Sequence, residues 1–183
     1  MFVCAGNNET FPFATPIGVG LIESTINLTR LALFDKPEFL IFVGSAGSYG
    51  KYRPFDIVES STAANIELAF LENRAYTPLD NVIEAYSDDK VSRETNVIVN
   101  SSNYISTDFD LVQGLRKHHI ELENMEFFSV LKVSQEFSIP VLGIFVVTNY
   151  CDQNAHRDFL KHHEEAKKKL MDYVVKKYKE LQK

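Results

Sequence analysis

Two unbroken apolar runs, residues 39–43 and 141–147, limit what this chain can fold into more than any other feature. A strand wet on one face alternates polar and apolar residues, whereas an unbroken run belongs to a strand covered on both faces. Two such strands need helices above and below a central sheet, and helical patterns are present. Leu21, Ile22, Ile26, Leu28, Ala32 and Leu33 recur near helical spacing over residues 21–34, and Asp35, Lys36 and Pro37 end that segment. Val130, Val133, Ser134 and Phe137 share a face over 127–137, with Pro140 closing the loop after it. From about 156 to 181, Phe159, Ala166, Leu170, Tyr173, Val174 and Leu181 form an amphipathic stripe, and lysines crowd the last turns, where they complement the helix dipole.

Shorter extended segments are expected at 2–5, at 11–14 with 17–19, at 57–63 and at 97–99. Residues 71–95 are polar and poorly periodic and read as loops. Buried strands alternating with helices give an α/β fold with a mixed, largely parallel central sheet flanked by helices. No repeat, linker or low-complexity tract interrupts the chain, so residues 1–183 are read as one domain.

The net charge of −6 and the pI near 5.4 argue against a general nucleic-acid binder, which needs a basic face for phosphates. Two cysteines, Cys4 and Cys151, are too few for a disulfide scaffold and fit a reducing compartment. The first residues carry no basic segment followed by a long apolar run, and no window is apolar enough to span a bilayer. The expectation is a cytoplasmic protein with no membrane partner.

In sheets of this kind ligands sit beyond the carboxyl ends of the strands, so the polar segments there are the places to look. Gly44, Ser45, Ala46 and Gly47 read either as a tight turn or as a cradle of N–H groups and a hydroxyl for an anion. Glu123, Asn124, Met125 and Glu126 precede a helix. A carboxylate there either caps the helix or accepts hydrogen bonds from two sugar hydroxyls. Asn149, within Thr148-Asn149-Tyr150-Cys151-Asp152, offers a donor and an acceptor to a heterocycle, or simply makes a turn. Tyr104 could stack on a base or join the core.

Taken together and in this order, these segments resemble the nucleoside phosphorylase and nucleosidase family. The resemblance is carried by Ile17-Gly18-Val19-Gly20 opening a helix and by Lys36-Pro37-Glu38 leading through the apolar run to the G-S-A-G segment. It is carried further by residues 97–105, and most specifically by Met125-Glu126-Phe127-Phe128-Ser129-Val130 running on to Thr148-Asn149. It implies a three-layer nucleoside phosphorylase-like fold and cleavage of the N-glycosidic bond of a purine nucleoside. It also implies roles: Glu126 on the ribose hydroxyls, Met125 packed on the sugar, and Tyr104 stacked on or flanking the purine. Gly18, Gly20, Ser45 and Gly47 would line the phosphate or water side, and Asn149 would bind the base near N7 and O6.

An asparagine at this place resembles members acting on 6-oxopurine nucleosides. The expected activity is therefore phosphorolysis of inosine or guanosine, with inorganic phosphate as co-substrate and no metal or other cofactor, in a homo-oligomer. Hydrolysis by the same architecture, and a catalytically impaired nucleoside-binding member, are the competing expectations. The pattern departs in that Phe42 and Phe145 stand where family members carry arginines, and residues 6–18 are short. Arg30, Arg53 or an arginine of a neighbouring subunit are the candidates to replace them. Glu9, near the family's water-activating carboxylate, reads as an exposed loop acid, and His162 and His163 read as solvated.

Overall fold

The computed structural model describes residues 1–86 and 96–178. Its elements run β1 (Phe2–Cys4), β2 (Thr15–Pro16), α1 (Gly20–Phe34), β3 (Leu40–Ser48), β4 (Ile57–Ser60), β5 (Thr62–Ala64) and α2 (Leu68–Leu71). They continue with β6 (Val82–Glu84), β7 (Ile98–Ser101), α3 (Phe109–Arg116), β8 (Ile120–Asn124), α4 (Phe127–Glu136), β9 (Val141–Tyr150) and α5 (Ala155–Lys177). The two apolar runs are neighbours: β3 and β9 pair in parallel from Leu40 opposite Val141 to Ser48 opposite Tyr150, with one irregularity between Ala46 and Gly47. Because β9 occupies one edge of β3 throughout, the other edge is shared. β1 pairs in parallel with Ile41 and Phe42, and β8 pairs antiparallel with Gly47 and Ser48. The sheet extends from β8 through β7 and β5 to β6, while β4 runs antiparallel along the outer side of β9.

The burial explains the unbroken apolar runs. One face of the β3–β9 ladder carries Phe42 and Phe145, which pack with Phe127 of α4 at ring-centroid distances of 5.1 to 6.0 Å, all three fully buried. The opposite face carries Ile41, Val43, Leu142 and Ile144 against Ala166, Leu170 and Val174 of α5. Each such side chain contributes about 1.5–3 kcal/mol by leaving water, so an alternating strand could not have served here. Among the described residues no helix is long and apolar enough to cross a membrane.

The structure departs from the sequence expectations in five places. Residues 11–14 form turns, and the extended pair is Thr15–Pro16. Gly44 to Gly47 do not turn but remain within β3, because β9 supplies ladder partners along their whole length. The 57–63 segment divides into β4 and β5 on opposite sides of the sheet. α2 and β6 lie within or beside the stretch read as loops, of which 87–95 fall outside the described residues. α3 and β8 arise where no element was expected. α5 ends at Lys177, so the Leu181 end of the expected stripe falls outside the described residues.

Candidate active site

Between the points where β1 leaves β3 and β8 joins it, residues 43–46 have no strand partner on that edge. A cavity of about 310 Å³ opens there, bounded by the turn after β1, by Ser45 to Gly47, by Glu123 to Glu126, by the end of β9 and by the start of α5. Its size suits a small organic ligand, and it lies at the kind of strand divergence where α/β sheets bind ligands.

The chain leaves β1 through a tight turn in which the Glu9 N–H donates to Gly6 O at 2.9 Å and Asn7 adopts a positive φ of 52°. Asparagine tolerates that conformation better than most residues. The turn delivers Glu9 into the cavity, where its carboxylate accepts from the Ser45 N–H, 3.3 Å to each oxygen, and from the Ser45 hydroxyl. Glu9 is thus not an exposed loop acid. The donors of the G-S-A-G segment that could cradle an anion are already engaged by an anion of the chain itself.

Glu126 enters from the other side. Asn124 accepts the N–H groups of Glu126 and Phe127 at 2.8 and 2.9 Å and so starts α4, which leaves the Glu126 side chain uninvolved in capping. Its carboxylate instead accepts the Gly20 N–H at 2.9 Å, across 106 residues of sequence. Gly20 has φ of 81°, and a Cβ there would lie 2.8 Å from Asn103 Oδ1, so only glycine brings this N–H to the carboxylate. Glu126 is 3% exposed. Burial, aided by the charge of Glu9, raises its carboxyl to about 7 against the opposing bond from Gly20. Met125 lines the cavity beside it.

At the end of β9 the Thr148 hydroxyl donates to Asn149 Oδ1 at 2.8 Å, and Asn149 Nδ2 donates to Tyr150 O at 3.0 Å. The amide is therefore held at both ends, with one lone pair of its oxygen taken, and its second N–H has no protein acceptor among the described residues. Asn149 lines the cavity. Gly47 lets it stand there: a Cβ at position 47 would meet Cys151 Sγ at 2.7 Å and Asn149 Nδ2 at 3.3 Å.

Of the residues singled out from the sequence, the cavity gathers Asn149, Glu126, Met125, Ser45 and Gly47. Gly20 stands behind Glu126 and contributes through its N–H. Gly18 lies one step farther back, its own N–H donating to Ala5 O at 2.9 Å. Tyr104 is 80% exposed and borders a neighbouring depression, while Ile105 beside it lines the cavity. Phe42 and Phe145, at the family's arginine positions, belong to the core. Arg30 and Arg53 are exposed and outside the cavity lining, which includes no lysine or arginine among the described residues.

Sequence reasoning undervalued Glu9, named Glu123 only as part of the Glu123–Glu126 segment, and placed Phe159 on the amphipathic stripe of the last helix and not in the site. The Gly6-Asn7-Asn8 turn formers were the available signal for Glu9. Glu123 is buried at the cavity floor, accepting from Tyr49 Oη at 2.9 Å, from the Ser106 N–H at 2.8 Å and from the Ser106 hydroxyl. Nor are His162 and His163 solvated: their ring nitrogens lie 2.7 Å from Thr148 O and 2.9 Å from Asn8 O.

Residues 4–178 match the phosphorylase superfamily. No curated protein matches the chain. Among solved structures, it is similar to a mutant 5'-methylthioadenosine/S-adenosylhomocysteine nucleosidase of Helicobacter pylori with 5'-methylthioadenosine in its active site. The identity is 14%, the TM-score 0.79, and the likeness covers 98% of this chain and 97% of that one. It is also similar to the corresponding nucleosidase of S. pneumoniae with a transition-state inhibitor, at 14% identity and TM-score 0.75, covering 95% of each chain. Futalosine hydrolase of H. pylori is similar at 16% identity and TM-score 0.76, covering 94% of each chain. At these identities the likeness shows a shared fold.

Proposed function

This chain belongs to the phosphorylase superfamily, and from that premise we propose that it is a purine nucleosidase, which uses water rather than phosphate to break the N-glycosidic bond. The observation that carries this reading is the engagement of Ser45 by Glu9. A phosphate bound at the G-S-A-G segment would have to displace a carboxylate and settle beside Glu126 without a lysine or arginine among the described lining residues. Phosphate sites are built from such cations or from free N–H donors. The phosphorolysis expected from the sequence resemblance therefore gives way to its hydrolytic alternative, in keeping with the nucleosidases and hydrolase among the similar structures.

In this reading Glu9 is the general base. It takes a proton from a water molecule whose oxygen attacks C1′. The C1′–N9 electron pair leaves with the purine, which takes up a proton from solvent while Glu9 gives its proton back to solvent, so the products are free base and ribose. Positive charge builds on the sugar as the bond breaks, and the carboxylates of Glu9 and Glu126 stabilise it. Negative charge builds on the purine, and the Asn149 N–H meets it at N7, a preorganised donor. Glu126 accepts the ribose hydroxyls, as the resemblance implies.

The base preference follows from the locked amide. Thr148 takes one lone pair of Asn149 Oδ1 and Tyr150 O takes one amide N–H, and the N–H left over is the donor that meets the base in this reading. A 6-oxopurine presents acceptors at both N7 and O6. Adenine keeps N7 but replaces the O6 acceptor with an amino group, so an amide N–H shared between the two positions finds both acceptors only on a 6-oxopurine. The proposed substrates are accordingly inosine-type and guanosine-type nucleosides.

Base release from inosine, guanosine, xanthosine, adenosine and 5'-methylthioadenosine, each with and without phosphate, tests the proposal. The expected result is release of base and free ribose at a rate independent of phosphate, fastest with a 6-oxopurine. Strict dependence on phosphate, with ribose 1-phosphate as product, would overturn hydrolysis. Faster turnover of the adenine nucleosides would overturn the base assignment.

A further inference from the structure

The last helix reaches back to the first turn of the chain. His163, on the α5 face that also buries Ala166, Leu170 and Val174, is 7% exposed, and its Nε2 lies 2.9 Å from Asn8 O. One turn farther on, Lys167 Nζ donates to the same carbonyl at 3.2 Å. A carbonyl only accepts, so the His163 Nε2 carries the proton, and the oxygen has a lone pair for each donor. Asn8 C=O and Glu9 N–H belong to one planar peptide unit. That unit is pinned at its oxygen by α5 and at its N–H by Gly6 O at 2.9 Å. The residue it leads into is Glu9, whose carboxylate rests on Ser45.

We propose that His163, together with Lys167, is a positioning residue that aims Glu9 at the attacking water through the main-chain carbonyl of Asn8. The inference rests on the reading of Glu9 as the water-activating base. Within the turn Asn7 and Asn8 are exposed, so its main chain is held from α5 at one side and from Gly6 at the other. Phe159, which lines the cavity, packs on the His163 ring with a centroid distance of 4.8 Å, so the same histidine also supports that lining residue.

Three variants separate positioning from mere packing. His163→Phe keeps a ring against Phe159 but removes the donor. His163→Gln restores an N–H at nearly the same reach. Lys167→Met removes the second donor on the helix surface. A misplacement near 1 Å costs up to about 100-fold in rate, so kcat of His163→Phe in phosphate-free hydrolysis should fall roughly 10- to 100-fold. KM and the affinity for free hypoxanthine should stay within about twofold, because the base side is untouched. His163→Gln should recover most of the rate, and Lys167→Met should lose a smaller part of it.

Unchanged kcat in His163→Phe would overturn the proposal, as would equal losses of kcat and hypoxanthine affinity, or a glutamine variant no better than phenylalanine. Should His163→Phe fail to fold, Lys167→Met decides: a lower kcat at unchanged KM supports positioning, and a wild-type rate overturns it. A wild-type chain that hydrolyses no nucleoside overturns the nucleosidase reading and this inference together. An active wild type with unaffected variants overturns this inference alone.

Discussion

Replacing Glu126 by glutamine should change how the stability of this protein depends on pH. In the unfolded chain a glutamate titrates near 4.5, whereas in the folded protein burial holds Glu126 at about 7. Between those values the native state keeps a proton that the unfolded state has released. Raising the pH therefore favours unfolding, with no penalty below about 4.5 and the full penalty above about 7. Each tenfold difference in proton affinity is worth about 1.4 kcal/mol, so the full penalty is roughly 3 kcal/mol. Glutamine cannot ionise, and its Oε1 can keep the 2.9 Å bond from the Gly20 N–H. Urea unfolding of both proteins at fixed concentration, from about pH 5 to about pH 8, measures the difference. Glutamine should gain on the wild type by roughly 3 kcal/mol across that range, a relative shift in midpoint of about 1–2 M for an ordinary urea slope. Other titrating groups contribute nearly equally to both proteins and cancel. Parallel curves would refute the argument, since they would mean that the ionised carboxylate is not held out of water.

Asn149→Ala removes the one side-chain donor proposed for the purine, and kcat should fall about 100- to 1,000-fold, a loss of roughly 2.7–4 kcal/mol. Steady-state kinetics on inosine check it, and a wild-type rate would remove Asn149 from the chemistry. Glu9→Gln should cut phosphate-free hydrolysis by roughly 100- to 10,000-fold, the range of general-base contributions, while hypoxanthine still binds in a calorimetric titration. Gly47→Ala places a methyl 2.7 Å from Cys151 Sγ and 3.3 Å from Asn149 Nδ2. It should destabilise the fold by about 1–3 kcal/mol in a thermal or urea unfolding experiment and lower activity with it.

Much of the frame was legible before any coordinates. β3 and β9 announced themselves because burial on both faces removes the polar alternation, and α4 and α5 because each lays one apolar stripe on the sheet; α1 was legible from its spacing, although of that spacing Leu28 and Ala32 are buried while Ile22, Ile26 and Leu33 are exposed. β8 did not, because Ile120–Asn124 places glutamates at 121 and 123, which look solvated in isolation. In the fold they are buried, Glu121 paired with Lys51 and Arg116 and Glu123 with Tyr49 and Ser106. Tyr49 and Lys51, the partners from the segment after β3, lie 74 and 70 residues away, so no local pattern reports them. α3 did leave a local signal in Asp108, which accepts the Leu111 N–H at 3.1 Å as an N-cap.

By itself, the order of residues determined the class of fold, the three long helices and the two long strands, and the identities of Glu126 and Asn149 as groups worth watching, since these depend on local periodicity and short motifs. Only the tertiary structure decided that Glu9 rests on Ser45, that Gly20 donates to Glu126, that Phe42 and Phe145 meet Phe127 of α4, and that His163 grips the first turn from the last helix. Each of those contacts joins side chains and backbone groups remote in the chain, and the aromatics' place depends on what α4 packs against. A sequence states which donors, acceptors and rings exist, but which of them meet is set by how the sheet and its helices close around one another.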